Sequence, residues 1–535
     1  MPSAKPRTTT DIASDDMTAE QLALPSSRAR YAKTQYGVVQ GGTVRNGTAV
    51  FLNVPYSQAV ARWNDPKPLD EGSRYSTKPY TEDGLYCAQR SQPKRMTLGL
   101  GSPTESPFFA DIYVPSTVAL DTPDTSPHTL KPVRVFIHGG FLQFGSTSGF
   151  NYNQQFFPAE EFDEVRVLLA YRVSVLGFLS SEKHKLEGNY GFKDCWAGLE
   201  WVRKNIAAFG GDPQEIHLSG MSGGAHLVQQ LLHYAARHAP SKAPFKSATL
   251  FSNGILANAP TAAEKEAQFG SVATAAGIDP SASDAVAQLR RVSISTLLAS
   301  IGANSSQMVF RGVIGPGDGW VSEDQMEYQQ SGRFASDLRK AGIQYVVCGD
   351  VRDEIAGYKL AHPCKETREI IPNLERYYTA SDSARLLAAY PPLQPTSSVT
   401  DINLLQGQIL ADAQVHLPVR FLARDLARAG FPVVRYTIEY VAKALGTNGV
   451  VIHGSDLVIQ QYRLSLLSQR ESQIAFEWRE RLEEEVKQAV RSPETVRGEG
   501  TVLTLGENGA IGWEEDWRWE QLRRIEGAIR DVWVA

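Results

Sequence analysis

Short apolar runs and stretches of helical periodicity alternate along this chain. Val133 to Ile137 is apolar except for Arg134 and predicts a buried strand. Ile216 to Leu218 predicts a second short strand. It is followed by apolar residues at helical spacing: Leu227, Val228, Leu231 and Leu232. Near the end of the chain, Ile474 to Val490 and Glu515 to Val532 predict two more helices.

The second of these helices carries an apolar stripe formed by Trp517, Trp519, Leu522 and Ile525. A stripe of this kind faces either the core of the protein or a dimer interface. The sequence leaves both open. A homodimer formed through the C-terminal helices is therefore an expectation.

Between the short strand and its helix lies Gly220-Met221-Ser222-Gly223-Gly224, which matches the pattern G-x-S-x-G. Strand, G-x-S-x-G and helix together predict a nucleophile elbow. The two outer glycines allow so sharp a turn that the serine hydroxyl projects above the sheet, in front of the positive end of the helix. Ser222 is therefore the candidate nucleophile.

The apolar run that ends at Ile137 leads into a glycine-rich loop that begins His138-Gly139-Gly140-Phe141. Such a loop can turn backbone N–H groups toward one point and stabilise a developing oxyanion. The candidate oxyanion-hole residues lie in this loop and directly after the serine: Gly139, Gly140, Phe141 and Gly223. In the register that we favour, the donors are the amides of the last three.

These motifs sit within a longer resemblance to the type-B carboxylesterase and cholinesterase-like lipase family of the α/β-hydrolase superfamily. The segments that carry it are Phe51–Ser57, Asp111–Pro115, Tyr171–Leu179, Gly188–Asp194, Leu199–Val202 and Asn205–Pro213. The last of these runs directly into the elbow. The resemblance implies an α/β-hydrolase fold, with a mostly parallel central sheet flanked by helices.

The resemblance also implies an acid and a base for the serine. The family's acid lies in a segment of the form G-x-x-x-D-E-G, which Gly349 to Gly357 matches, so Glu354 is the expected acid and its neighbour Asp353 is the rival. The family's histidine lies in an H-G-x-[DE] turn, matched at His453. The order serine, acid, histidine is the one expected of an α/β hydrolase.

Four other histidines near these motifs have simpler interpretations. His226 lies one turn into the elbow helix and is expected to pack or cap, and His217 belongs to the buried strand. His416 falls in a largely helical stretch, and His138 is expected to be structural.

Length, composition and charge agree with an enzyme of this class. The chain has 535 residues, of which 42% are hydrophobic and 21% charged, and this family forms one domain at such lengths. We expect a flexible extension at residues 1–30 and a single domain at 31–535. The net charge of −5 gives no reason to expect nucleic-acid binding. No metal-ligand spacing, P-loop or dinucleotide fingerprint is present, so no metal or cofactor is expected.

The first thirty residues contain no apolar segment typical of a secretory signal, and no transmembrane segment is visible. The four cysteines point the same way. Secreted relatives pair a cysteine like Cys87 with one before the strand at Asp111, and that partner is missing here. A cytoplasmic location is the resulting expectation.

Departures from the family pattern bear on the substrate. Phe141 stands where most members have a third glycine, Met221 stands where they commonly have glutamate, and residues 88–106 lack the tryptophan with which cholinesterases hold a quaternary ammonium. Ile255 to Ala259 are small or aliphatic where some relatives place an aromatic wall. These changes predict neutral esters and a roomy acyl side. Leu98 to Pro103 is either a lid or an ordinary surface loop.

The sequence therefore predicts a serine carboxylic-ester hydrolase that acts on neutral small-molecule esters through an acyl-serine intermediate. Two alternatives remain at this point. One is acyl transfer or lactone hydrolysis in small-molecule metabolism. The other is a non-catalytic adhesion or binding protein, which the retention of all three triad positions disfavours.

Overall fold

A computed structural model describes residues 28–82, 85–90, 101–123, 127, 129–149, 154–239, 242–302, 308–315, 319–493 and 499–530. The expected extension at residues 1–30 lies mostly outside this range, as does much of the segment considered as a lid. The single-domain division at 31–535 stays a prediction.

Twelve strands form one central sheet in the order β1-β2-β3-β8-β10-β9-β11-β12-β13-β14-β15-β16, and two pairs, β4-β5 and β6-β7, lie outside it. The strands are β1 Arg30–Thr34, β2 Gly37–Thr43, β3 Ala49–Pro55, β4 Ser57–Gln58, β5 Lys67–Pro68, β6 Leu85–Cys87, β7 Ser102–Thr104, β8 Phe109–Val114, β9 Lys131–Ile137, β10 Val165–Leu169, β11 Gly211–Met221, β12 Ser247–Phe251, β13 Tyr345–Val351, β14 Val433–Ile438, β15 Thr501–Leu505 and β16 Ile511–Glu515.

The middle of this sheet is parallel. The pairs β10-β9, β9-β11, β11-β12, β12-β13, β13-β14 and β14-β15 are all parallel, whereas both edges of the sheet are antiparallel. Because parallel strands end on the same edge, the residues that follow β9, β11, β12 and β13 meet at one place. That edge carries the predicted site residues.

Helices cover both faces of the sheet. They are α1 Phe156–Glu161, α2 Ser174–Phe178, α3 Tyr190–Asn205, α4 Gly223–His238, α5 Glu266–Ala275, α6 Ala285–Arg291, α7 Ile294–Ser300, α8 Gln325–Gln330, α9 Arg333–Lys340, α10 Glu354–Ala361, α11 Ile370–Leu374, α12 Ala380–Ala388, α13 Val399–Ala411, α14 Leu417–Arg428, α15 Leu457–Gln460, α16 Gln469–Arg491 and α17 Arg518–Arg530. A π-helical turn, Asp412–His416, joins α13 to α14. Within the described residues no helix is long and apolar enough to cross a membrane.

The core has two parts, one on each face of the sheet. Along β9, Val133, Val135 and Ile137 belong to one apolar cluster and Phe136 to the other, as the two-residue period of a strand requires. The second cluster includes Trp478 of α16, which is 1% exposed. The expected α/β-hydrolase architecture, a mostly parallel sheet between helices, is confirmed.

The predicted elements differ from the observed ones mainly at their ends. The strand predicted at Ile216 to Leu218 lies in the second half of the eleven-residue β11. The helix predicted at Glu515 to Val532 begins at Arg518, because Ile511–Glu515 pairs with β15 as a strand. Of the predicted stripe, Trp519, Leu522 and Ile525 are buried within this chain and face the core, whereas Trp517 precedes the helix and is 53% exposed. The homodimer stays a prediction.

Candidate active site

Ser222 occupies the sharp turn between β11 and α4. Its φ of 56° and ψ of −123° place its backbone in a region that side-chain-bearing residues rarely adopt. The turn is held by the Ser222 N–H, which donates to the carbonyl of Phe251 at 2.8 Å. A Cβ on Gly220 would collide with the backbone of Gly224, and one on Gly224 with the backbone of β9. Both glycines of the elbow are therefore required by close packing.

The structure brings the three predicted side chains into one hydrogen-bonded row. The hydroxyl of Ser222 donates to Nε2 of His453 at 2.8 Å, and Nδ1 of His453 donates to Oε2 of Glu354 at 2.6 Å. Glu354 is fully buried, while the side chain of His453 is 16% exposed. The row thus runs from a buried carboxylate to a serine at the edge of the sheet.

Glu354, rather than Asp353, contacts the histidine. Glu354 is the first residue of α10, and its other oxygen accepts a hydrogen bond from the Val351 amide at 3.2 Å. Asp353 instead accepts from the Val451 amide at 2.8 Å and pairs with Arg352. Asp353 therefore anchors the loop that carries His453, and Glu354 orients the imidazole.

Burial and charge oppose each other at His453. Burial lowers the pKa of the imidazole, but the charge of Glu354 and the hydrogen bond to it outweigh burial, so the pKa is raised above its usual 6.5. A carboxylate beside an imidazole favours the protonated form that a general base reaches during catalysis.

A third ionisable side chain, that of Asp456, interacts with His453 and Glu354 and was not singled out from the sequence. Burial, reinforced by the nearby charge of Glu354, raises the pKa of Asp456 to about 7. Asp456 is the last residue of the H-G-x-[DE] turn that identified His453. The motif fixes an acidic residue three positions after the histidine, and this residue is a signal in its own right.

The loop after β9 turns sharply enough to aim its backbone at the elbow. Gly140 has φ of +116°, Phe141 has φ of 56° and Leu142 has φ of 64°. A Cβ placed on Gly223 would lie 3.0 Å from the Phe141 nitrogen. The amides of the loop therefore reach the first turn of α4, where the oxyanion donors were predicted. Gly139 begins the loop, and its carbonyl accepts from His138 at 2.9 Å.

Two glutamines hold this loop in place, and neither was singled out from the sequence. The side chain of Gln89 both accepts from the Gly145 amide at 2.8 Å and donates to the Gly145 carbonyl at 2.9 Å. The side chain of Gln143 makes the same pair of bonds to the backbone of Phe310, at 2.6 and 3.0 Å. Paired amide bonds of this kind fix the part of the loop that follows Phe141.

Phe141 takes the place of a glycine by accepting a left-handed backbone conformation. Its ring packs edge-on against His362 at 5.0 Å and against Tyr358 at 6.2 Å between centroids. Tyr358 in turn lies 5.4 Å from the His453 ring. The aromatic contacts thus join the loop after β9 to His453. They also stabilise a left-handed backbone at Phe141 that otherwise costs about 1 kcal/mol.

The other histidines have structural contacts. His138 is buried and stacks on Tyr171 at 4.5 Å, and His226 is buried near the Gly254 carbonyl. His416 pairs with Asp350 at 3.0 Å in the π-helical turn between α13 and α14, within the largely helical stretch that was expected. The side chain of His217 is 11% exposed, and its ring bonds to Ser247 and Tyr345. None of the four joins the row of Ser222.

Two of the departures that bear on the substrate, Met221 and residues 255–259, lie in described parts of the chain. Met221 is buried in the core below the elbow, with its methyl group 3.2 Å from where a Cβ on Gly454 would lie. Ile255 to Ala259 line a narrow cavity of about 40 Å³ beside His226, together with Tyr377 and Arg311. Ser222 and His453 are not among the residues that line this cavity, so the roomy acyl side stays a prediction.

The four cysteines are all buried and free, so Cys87 has no disulfide. In the part of the chain that the structure describes, no group of three or more histidine, cysteine, aspartate or glutamate side chains is placed to hold a metal ion.

Comparison with known proteins decides the family. The model of the carboxylesterase family matches residues 28–473. The chain belongs to the carboxylesterase family. Ester hydrolysis on this fold is accordingly its activity: it is a carboxylic ester hydrolase of the α/β-hydrolase superfamily.

Individual relatives match different shares of the chain. An uncharacterized esterase/lipase of Schizosaccharomyces pombe is 28% identical over 80% of this chain and 83% of its own. The para-nitrobenzyl esterase of Bacillus subtilis is 32% identical over 37% of this chain and 39% of its own. Among solved structures, EstA of Aspergillus niger superposes with a TM-score of 0.73 at 23% identity, covering 95% of this chain and all of its own. The last similarity bears on the fold alone.

Proposed function

We propose that this carboxylesterase uses Ser222 as nucleophile, His453 as general base and acid, and Glu354 as the group that orients the imidazole. The observation that carries the proposal is the continuous row of hydrogen bonds, 2.8 Å from Ser222 to His453 and 2.6 Å from His453 to Glu354. A serine hydroxyl needs such a base to become nucleophilic at neutral pH.

In the first half of the reaction, Ser222 Oγ attacks the ester carbonyl while Nε2 of His453 takes its proton. Glu354 stabilises the imidazolium that results, and the histidine then protonates the leaving alcohol. In the second half, the same histidine activates water, which attacks the acyl-serine and releases the acid. Both halves pass through a tetrahedral oxyanion.

The amides of Gly140, Phe141 and Gly223 are the proposed donors to that oxyanion. The support is the approach of the Phe141 nitrogen to the elbow and the positive φ values that turn the loop toward it. Preorganised N–H groups at this place stabilise charge that develops only in the transition state.

Replacing Ser222 by alanine tests the nucleophile. The variant should fold, but kcat for p-nitrophenyl acetate should fall by several orders of magnitude, because only binding and the oxyanion donors remain. A fluorophosphonate probe should label the wild type and not the variant, as read by intact-protein mass spectrometry. Esterase activity near the wild-type level in Ser222→Ala would exclude this nucleophile.

We further propose that the alcohol side of the site favours neutral esters over quaternary ammonium esters. Met221 supplies no negative charge beside the serine, so a cation would lose hydration without compensation. We expect kcat/KM for 3,3-dimethylbutyl acetate to exceed that for its charged isostere acetylcholine. Met221→Glu should narrow the difference. A wild-type preference for the choline ester would contradict the proposal.

A further inference from the structure

A cavity of about 390 Å³ lies between the sheet and α16, and Ser222, Glu354 and His453 are not among its lining residues. Its floor is formed by β9, β11, β12 and β13, and its wall by the second half of α16. A cavity of this volume falls within the range of small-molecule sites. The ester hydrolysis described above gives it no role.

The sheet itself shows why the cavity is there. Along β11 the side chains of His217, Ser219 and Met221 share one face, since alternate residues of a strand do so. Met221 belongs to the apolar core on that face, whereas His217 and Ser219 line the cavity. Thus one face of one strand changes from apolar to polar within two residues.

The neighbouring strands repeat this change. On β9 and β12, Phe136 and Phe251 belong to the apolar core, while Arg134 and Thr249, two residues earlier, line the cavity. The polar half of the sheet face is therefore continuous across three strands. A core face of a parallel sheet is normally apolar throughout. The polar half of this face is therefore suited to contact a polar or charged group.

The cavity carries an excess of positive charge. Six of its lining side chains are basic and one, Glu483, is acidic: Arg134, Arg166, Lys246, Arg479, Lys487 and Arg491 are the basic ones. Two further carboxylates, Glu164 and Glu215, bond to these cations from behind. Three positive charges remain without a carboxylate to balance them.

The cations are of two kinds. Arg134 and Arg479 are fixed by Glu164 and Glu483 at 2.7 to 3.1 Å and so form a rigid wall. Lys487 and Arg491 stand one turn apart on α16, at the rim, and no carboxylate of the described residues lies within 4.0 Å of either. They are the cations available to an incoming anion.

Apolar side chains from α16 and from the sheet complete the lining of the cavity. Leu482, Val486 and Val490 follow one face of α16, and Phe251 and Val347 lie opposite them on the sheet. The cavity therefore offers an apolar slot with a cationic rim. Its complement is a molecule with an apolar body and one anionic end.

We propose that this cavity binds an apolar carboxylate, with the carboxylate at Lys487 and Arg491 and the chain between α16 and the sheet. Guanidinium and ammonium groups pair well with carboxylate oxygens. Ester hydrolysis releases a molecule of this class, so the enzyme's own acid product is a natural occupant. Binding here is separate from the triad and does not depend on the roles assigned to it.

Calorimetric titration with decanoate tests the proposal, using enzyme whose active serine has first been treated with a fluorophosphonate. We expect one saturable site that persists after this treatment. The double variant Lys487→Glu/Arg491→Glu should weaken binding about ten-fold or more, since each reversed charge now repels the carboxylate. Both residues are exposed, so the variant should fold.

A matched control reverses two charges elsewhere on the same helix. Arg470→Glu/Arg481→Glu makes the same change in net charge, and neither residue lines the cavity. It should bind decanoate as the wild type does. The proposal is overturned by loss of the site on fluorophosphonate treatment, by equal weakening in both double variants, or by decyltrimethylammonium binding as tightly as decanoate.

Discussion

At the scale of single residues, the adjacent carboxylates Asp353 and Glu354 have separate contacts. Glu354 bonds to His453, and Asp353 bonds to the Val451 amide and Arg352. Glu354→Gln keeps the volume but cannot stabilise the imidazolium, so kcat should fall by about 10³ to 10⁴. Asp353→Asn should cost far less. Steady-state kinetics of the two variants provide the comparison, and the reverse order would assign the acid to Asp353.

The charge of Asp456 should affect the pH profile of kcat/KM. His453 must be neutral to act as a base, so kcat/KM should fall as pH falls through the raised pKa of His453. The Asp456 charge contributes to raising that pKa. Asp456→Asn should therefore move the acid limb of the profile to lower pH. An acid limb that stays in place would mean that Asp456 is neutral throughout.

The same residue should change stability with a defined sign. Its pKa is about 7 in the folded protein, against a usual value of 3.8, because burial penalises its charge. Because the folded protein holds this proton more tightly than the unfolded chain does, Asp456 lowers the free energy of unfolding as pH rises from about 4 to about 7. Below that range Asp456 is protonated in both states and has no such effect. The thermal midpoint of Asp456→Asn, relative to the wild type, should rise between pH 4 and pH 7 and then level.

At the scale of elements, the parts of the site that sequence predicts are those fixed by local chemistry. The elbow needs glycines at 220 and 224 because backbone lies against both, and G-x-S-x-G records that need. The two glutamines that hold the loop after β9, Gln89 and Gln143, were not predictable in this way. They lie 54 residues apart and act on Gly145 and Phe310, so only the folded chain brings the four together.

Element boundaries show the same distinction. The apolar pattern located β9 and β11, but β11 extends from Gly211 because its first residue pairs with Lys131 across a register shift. Residues before α17 form β16 because β15 offers an unpaired edge. Both outcomes depend on pairing with distant strands. The pattern of one segment does not contain that information.

At the scale of the whole molecule, the C-terminal segment is joined to β13 through buried charged side chains. Arg420, which is 1% exposed, bonds to Asp516 through two hydrogen bonds of 2.8 and 2.9 Å and to Asp350 at 2.7 Å. Arg435 also bonds to Asp516, at 2.6 Å. Asp350 lies on β13, four residues before Glu354. The segment before α17 therefore supports the strand that leads to Glu354, the proposed acid.

Replacing Asp516 by asparagine tests this link. Two buried guanidinium groups would lose their shared carboxylate, which costs about 3 to 5 kcal/mol of unfolding free energy. Despite burial, Arg420 and Arg435 hold the pKa of Asp516 below its usual 3.8, so the stability that it contributes is present above that value and is lost as pH falls below it. Urea unfolding should show the full difference from the wild type at pH 7 and a smaller one near pH 3. α14, β14 and the C-terminal segment meet at this carboxylate. The variant should therefore unfold in a single transition at a lower temperature and should not release α17 alone. A separate early transition would show that the C-terminal segment is an independent unit.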